Sequence, residues 1–318
     1  NTSRAPGLWQ HIRIKFRAPR FDGSGKKIEN ARFEEVFLNG VLVQQQAEVT
    51  GPTRSPAFDG EKPEGPVMFQ GDHGNVAFRN ISYRKLSDAN TTPANTRLVD
   101  PILLKVEGKP YLLRSFIIYK DKLLTHGISV GDSREINYSY DMKRGALFQV
   151  WRGQFADATD LWYSRGEPYQ RIVPLGSVIV LSDAPALAVL SDVNMTRWPD
   201  SLSFDELMNK GYTLDAERLP TFNYQMQGMD IADKIVVSGH SGITRTVTVK
   251  NAPANLYFRI AAGSKIEIPD KELYAVNGKQ FYVSVSGQLK PVVRKVNGME
   301  ELLVPVKSDA PVSYSLIW

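Results

Sequence analysis

The strongest chemical signal in this 318-residue chain is His73, set in the run Gln70-Gly71-Asp72-His73-Gly74. A neutral imidazole that titrates near pH 7 is a natural acid–base group. Glycines on both sides let the backbone approach a ligand and re-aim the ring, and Asp72 or Gln70 could orient it. The same residues also read as a tight turn whose histidine caps a strand end, and both readings stand at this level. The other histidines, His11, His126 and His240, show no close metal spacing. His126 and Asp141 flank a tyrosine-rich stretch, with Tyr138 and Tyr140 on one strand face and Asn137, Ser139 and Asp141 on the other. With His240 in Ser238-Gly239-His240-Ser241-Gly242 they could form a second polar site, although a histidine in a Gly-Ser turn is more often surface loop. Ordinary glycoside hydrolysis needs two carboxylates ~5–9.5 Å apart. Glu29, Glu34, Glu35, Asp59, Glu61 and Glu64 are available, but none stands in a Glu-x-Asp-x-x-Glu spacing. Trp151, Trp162 and Trp198, with Tyr163, Tyr169, Arg152, Arg165 and Glu167, read either as a sugar platform or, more often, as an aromatic core with stacked arginines.

Strands must position these groups, because period-two alternation dominates the chain. Ile12, Ile14 and Phe16 alternate with Arg13, Lys15 and Arg17, which reads as a strand whose basic side faces solvent. Asn39-Gly40, Asn277-Gly278 and Asn297-Gly298 each separate apolar runs, the strongest short hairpin signal because both turn residues need positive φ. Glu107-Gly108 is a weaker version between Leu103-Leu104 and Tyr111-Leu113. Further strands are expected at 149–152, 178–181, 235–238, 244–250, 256–260, 281–286, 302–306 and 312–318. One short helix is expected near 203–210, where Ser203 and Glu206 make a capping box and Gly211 provides a stop. The fold class is therefore all-β. Residues 87–97 have linker composition, and a second seam is suggested between Pro220 and Asp233.

Composition narrows the function. The net charge of +5, from 39 Lys and Arg against 34 Asp and Glu, is dispersed, so no nucleic-acid surface is expected. The absence of cysteine excludes disulfides, thiolate catalysis and zinc–cysteine sites and is compatible with an exported bacterial protein. No apolar run approaches the ~20 residues of a membrane helix, and Asn1 opens a polar stretch, so an exported chain would already be processed.

Residues 7–86 carry an unusual set of motifs. They run from Gly7-Leu8-Trp9-Gln10 through Ala18-Pro19-Arg20-Phe21-Asp22, Asn30-Ala31-Arg32-Phe33, Val36-Phe37-Leu38-Asn39-Gly40 and Gly51-Pro52-Thr53. They end in Gly65-Pro66-Val67-Met68-Phe69-Gln70-Gly71-Asp72-His73-Gly74 and Val76-Ala77-Phe78-Arg79-Asn80-Ile81. This set resembles the C-terminal half of the 3-keto-disaccharide hydrolase family, a concanavalin- or laminarinase-like jelly roll. The resemblance implies a partial jelly roll over 1–86; beyond it, the many short strands read as a β-rich domain over 98–225 and a β-sandwich portion over 226–318, the two forming one or two β-sandwich domains. Segments around Thr125–Gly131, Ile136–Asp141 and Val150–Phe155 resemble an unassigned region of large exported proteins of Bacteroidetes and planctomycete type.

The implied substrate is a (3-keto-)glycoside. A ketone acidifies the neighbouring C–H, so one base and one carbonyl polariser suffice to eliminate the leaving sugar. On that reading His73 is the base, Asp72 its orienting partner, and Arg79 or a metal the polariser. Trp9, Gln10, Arg32 and Gln70 bind the sugar. No cofactor is expected; structural calcium held by scattered backbone carbonyls is compatible with a jelly roll. Half a jelly roll leaves an open sheet edge, so another polypeptide or precursor fragment is expected to supply the remaining strands. The alternative is a non-catalytic carbohydrate-binding or structural subunit of an envelope assembly.

Overall fold

The computed structural model describes residues 2–5, 7–53, 56, 58–71, 74–86, 101–119, 122–163 and 170–318. The chain forms two compact units, one of residues 13–37 and 42–101, the other of residues 1–12, 38–41 and 102–318. The expected linker at 87–97 lies outside the described residues.

The smaller unit is built on a three-stranded sheet of order β1-β4-β5, with β1 at Ile12–Arg17, β4 at Ala31–Leu38 and β5 at Val41–Val49. A minor hairpin pairs β2 (Arg20–Phe21) with β3 (Lys27–Glu29). Asn39 and Gly40, with φ of 53° and 86°, make the two-residue turn between β4 and β5 that their sequence demands. In β1 the expected facing is reversed. Ile12, Ile14 and Phe16 are 60%, 51% and 50% exposed, whereas Lys15 and Arg17 are half-buried. Buried Glu34 on β4 causes this, because it draws both cations to its own side. The stretch 75–86, which carries the Phe78-Arg79-Asn80-Ile81 motif, forms no strand. Val76, Phe78, Ile81 and Tyr83 stand exposed, with no described strand alongside to complete a ladder.

The larger unit contains three sheets. The first has six strands: β6 (Leu103–Leu104), β7 (Tyr111–Tyr119), β8 (Lys122–Gly131), β9 (Ile136–Asp141), β10 (Ala146–Asp157) and β11 (Val173–Val180). Its order is β11-β10-β9-β8-β7, and β6 pairs with the far end of β10. Glu107-Gly108 therefore joins strands that are not neighbours, and the expected hairpin there does not form. The second sheet has order β12-β17-β22-β21, with β12 at Leu187–Val189, β17 at Leu256–Gly263, β21 at Val292–Val296 and β22 at Met299–Pro305. The third has eight strands. These are β13 (Leu207–Leu214), β14 (Pro220–Met226), β15 (Met229–Ser238), β16 (Gly242–Lys250), β18 (Ile266–Asp270), β19 (Leu273–Val276), β20 (Phe281–Val285) and β23 (Val312–Ile317). Their order is β13-β14-β15-β16-β23-β20-β19-β18, which sets β23 between β16 and β20. Residues 220–233, where composition suggests a seam, form the β14–β15 hairpin inside this sheet.

One continuous apolar core takes side chains from all three sheets, including Tyr138 and Val150, Phe222 and Ile235, and Phe258 and Val304. The eight-stranded sheet buries alternate residues and leaves the others partly exposed, as in β14 and β15. The expected helix at 203–210 is absent. Ser203 and Glu206 do exchange the capping-box hydrogen bonds, and one turn forms. Leu207–Leu214 then pairs with β14, and Gly211, with φ of 84°, sits at a bulge between Asn209 and Tyr212 instead of stopping a helix. The described helix α1 is Thr159–Tyr163, capped by Asp157 accepting from the Thr159 N–H at 2.9 Å.

A charged network crosses this core. Asp233 on β15 receives a forked contact from Arg245 on β16, at 2.5 Å from Nη2 and 3.0 Å from Nε. It also accepts from the Tyr140 hydroxyl at 2.8 Å, and the Tyr140 ring stacks on Phe222 at 3.9 Å. Burial, then the charge of Asp233, pushes Tyr138 and Tyr140 well above 10.0. A raised folded-state pKa gives stability that is full below the unfolded value and lost as pH rises beyond it. Base-induced unfolding, followed by near-UV circular dichroism, is therefore expected to set in above about pH 10. A Tyr138→Phe variant is expected to move that onset upward.

Candidate functional site

The expected acid–base pair, Asp72 and His73, lies outside the described residues. The residues around it belong to the smaller unit. Gln70 and Arg79 are both exposed on non-strand backbone, and each neighbours one member of an aromatic pair, Phe69 and Phe78, whose centroids are 5.2 Å apart. That pair brings residues 69 and 78 together. Arg32 on β4 lies in the same unit, half-buried, with Nη1 donating to the Gln46 amide oxygen at 3.3 Å and Nη2 3.9 Å from Glu48.

Trp9 and Gln10 belong to the larger unit. The Trp9 N–H donates to the Lys279 carbonyl at 3.1 Å. The Gln10 amide oxygen accepts from the Arg4 N–H at 3.0 Å and from the Asn39 side chain at 2.7 Å, and its nitrogen donates to the Arg4 carbonyl. The Gln10 side chain is thus engaged in holding the N-terminal segment to the turn at Asn39.

Sequence reasoning left one polar constellation unassembled. Glu34 sits between Lys15, at 3.1 Å, and Arg17, at 2.8 Å. Burial by itself would raise its carboxyl; the hydrogen bonds and charges of Lys15 and Arg17 outweigh that and hold it below 4.5. Glu34 is therefore ionised at neutral pH and can accept or anchor, but it cannot serve as a general acid. The signal was present in the alternating basic residues of β1, yet sequence does not say which acidic neighbour they face. Because the folded pKa is depressed, the stabilisation exists above about pH 4.5 and is lost as pH falls through the folded value. Glu34→Gln is expected to cost about 1–2 kcal/mol at pH 7 and to flatten the acid limb of a stability-versus-pH curve. Urea titrations from pH 3 to 7 measure both.

The second polar set does not converge. His126 is exposed, with its Nδ1 2.8 Å from the Thr125 hydroxyl. Asp141 is buried and bound to Arg144 at 2.6 Å. His240 contributes only its carbonyl, to Arg152. The aromatic middle segment also disperses: Trp151 and Trp198 are core residues, Arg259 stacks over Trp198 at 4.9 Å, and Trp162 is exposed. Arg165, Glu167 and Tyr169 lie outside the described residues. No group of three or more His, Asp or Glu side chains able to hold a metal occurs among the described residues. No helix among them is long and apolar enough to cross a membrane.

Comparison with known families adds one finding. The family model of the 3-keto-alpha-glucoside-1,2-lyase-like domain matches residues 1–84, supporting a carbohydrate-active role at the level of the family. No curated protein matches the chain, and no solved structure does.

Proposed function

We propose that this chain is an exported carbohydrate-active protein that cleaves 3-keto-glycosides by elimination at the loop carrying His73. The observation that carries the reading is the match of residues 1–84 to a 1,2-lyase-like family domain. In the proposed step His73 removes the proton from the carbon next to the ketone. The C–H electron pair becomes a carbon–carbon double bond, and the glycosidic C–O bond breaks toward the leaving sugar, whose oxygen takes up a proton. Water added across the double bond gives net hydrolysis. Asp72 orients the imidazole, Arg79 polarises the carbonyl oxygen as negative charge builds on it, and Arg32 and Gln70 bind hydroxyls.

The matched segment is read as the C-terminal half of a jelly roll that receives its other strands from another polypeptide. The exposed row Ile12, Ile14 and Phe16 and the unladdered stretch 75–86 support that reading. The test is incubation of the protein with a 3-keto-disaccharide, following release of free sugar and binding in parallel. Turnover supports the lyase. Saturable glycan binding without turnover assigns the chain to a binding role, and neither result removes the carbohydrate reading.

A further inference from the structure

Among the described residues three arginines are buried: Arg152, Arg245 and Arg294. Arg245 has Asp233 and Arg294 has Glu301. Arg152, on β10 and 7% exposed, has no carboxylate. Its Nη1 donates to the His240 carbonyl at 3.0 Å, while Nε and Nη2 are buried without a protein acceptor. Directly across the ladder on β11 stands Ser177, whose hydroxyl is also buried and unpartnered. The Trp318 ring lies 5.7 Å from the guanidinium carbon, and its indole N–H has no acceptor either. Burial depresses the Arg152 pKa with no neighbouring charge to offset it.

These groups share one chemistry. A guanidinium edge, a hydroxyl and an indole N–H are donors in want of an acceptor, and an uncompensated buried cation is strongly unfavourable. The free Nε–Nη2 edge is the fork that matches the two oxygens of a carboxylate. The exposed hairpin tip 238–241 supplies the carbonyl bound to Arg152, so the cation lies just beneath a surface turn. We propose that Arg152 is the centre of an anion site, completed by Ser177 and Trp318, that accepts a carboxylate group.

The full chain would be titrated with 13C-formate, following its relaxation, with glucuronate and glucose as separate arms. The expected result is saturable formate binding that weakens at least about tenfold in Arg152→Met and is unchanged in Arg197→Met, an exposed arginine. Arg152→Lys, which keeps the charge without the fork, is also expected to weaken binding and serves if Arg152→Met fails to fold. Competition by glucuronate but not glucose would identify the acid end of a sugar as the ligand; formate binding without it would identify a free small carboxylate. Non-saturable formate relaxation in the wild-type chain, or equal affinity in the wild-type and Arg152→Lys chains, would overturn the proposal.

Discussion

Asp233→Ala is expected to destabilise the larger unit by about 3–5 kcal/mol, because it leaves the Arg245 guanidinium charged and buried with nothing to neutralise it. The variant also strips the Tyr140 hydroxyl of its acceptor. Burial would lower the Arg245 pKa, but the charge and hydrogen bonding of Asp233, together with Tyr314 and Tyr140, outweigh this and keep the guanidinium protonated. The loss measures an orphaned cation and not the net worth of the ion pair. Asp233→Leu combined with Arg245→Met keeps volume, removes both charges and is expected to regain most of the loss. Urea unfolding of the two variants followed by tryptophan fluorescence makes the comparison. Equal destabilisation of the single and double variants would show that the orphaned charge does not set the cost.

On the proposed function, His73→Ala is expected to lower turnover of a 3-keto-glycoside by about 10²–10⁴-fold, the usual contribution of a positioned general base. The loss should fall on kcat more than on KM, because a proton-transfer group acts in the transition state. Arg79→Met is expected to show a smaller loss, and wild-type activity should fall at acid pH as the imidazole takes up a proton. Rates for His73→Ala equal to wild type would take the histidine out of the mechanism.

The strands of the larger unit were legible because their signals are local. Asn277-Gly278 and Asn297-Gly298 turn where their side chains and φ requirements place them, and expected strands such as 244–250 and 256–260 fall within β16 and β17. What failed were inferences in which tertiary pairing outvotes local preference. The Ser203–Glu206 box forms its hydrogen bonds, yet the residues after it gain more as an edge strand against β14 than as a lone helix. The Leu103-Leu104 strand pairs with β10, some fifty residues away, a choice no turn signal announces. In β1, alternation gave the period but not which side is shielded, because that depends on Glu34 across the sheet. Of the site, Asp72 and His73 lie outside the described residues, and the structure shows Gln70 and Arg79 exposed on non-strand backbone. Residue type alone does not say what engages the remaining polar groups. It could not anticipate that the Gln10 amide is occupied within its own segment, nor that Arg152 lacks a carboxylate partner.

The position of β23 has a consequence for biosynthesis. Strands β13 to β16 and β18 to β20 are joined into one sheet only by residues 312–317. A ribosome delivers that segment after every other strand of the unit, so vectorial synthesis exposes two unfinished half-sheets, each with a free hydrogen-bonding edge, until the last strand slots between them. Chains lacking residues 312–317 are therefore expected to keep both edges open and to be the ones most prone to cross-pair with their neighbours.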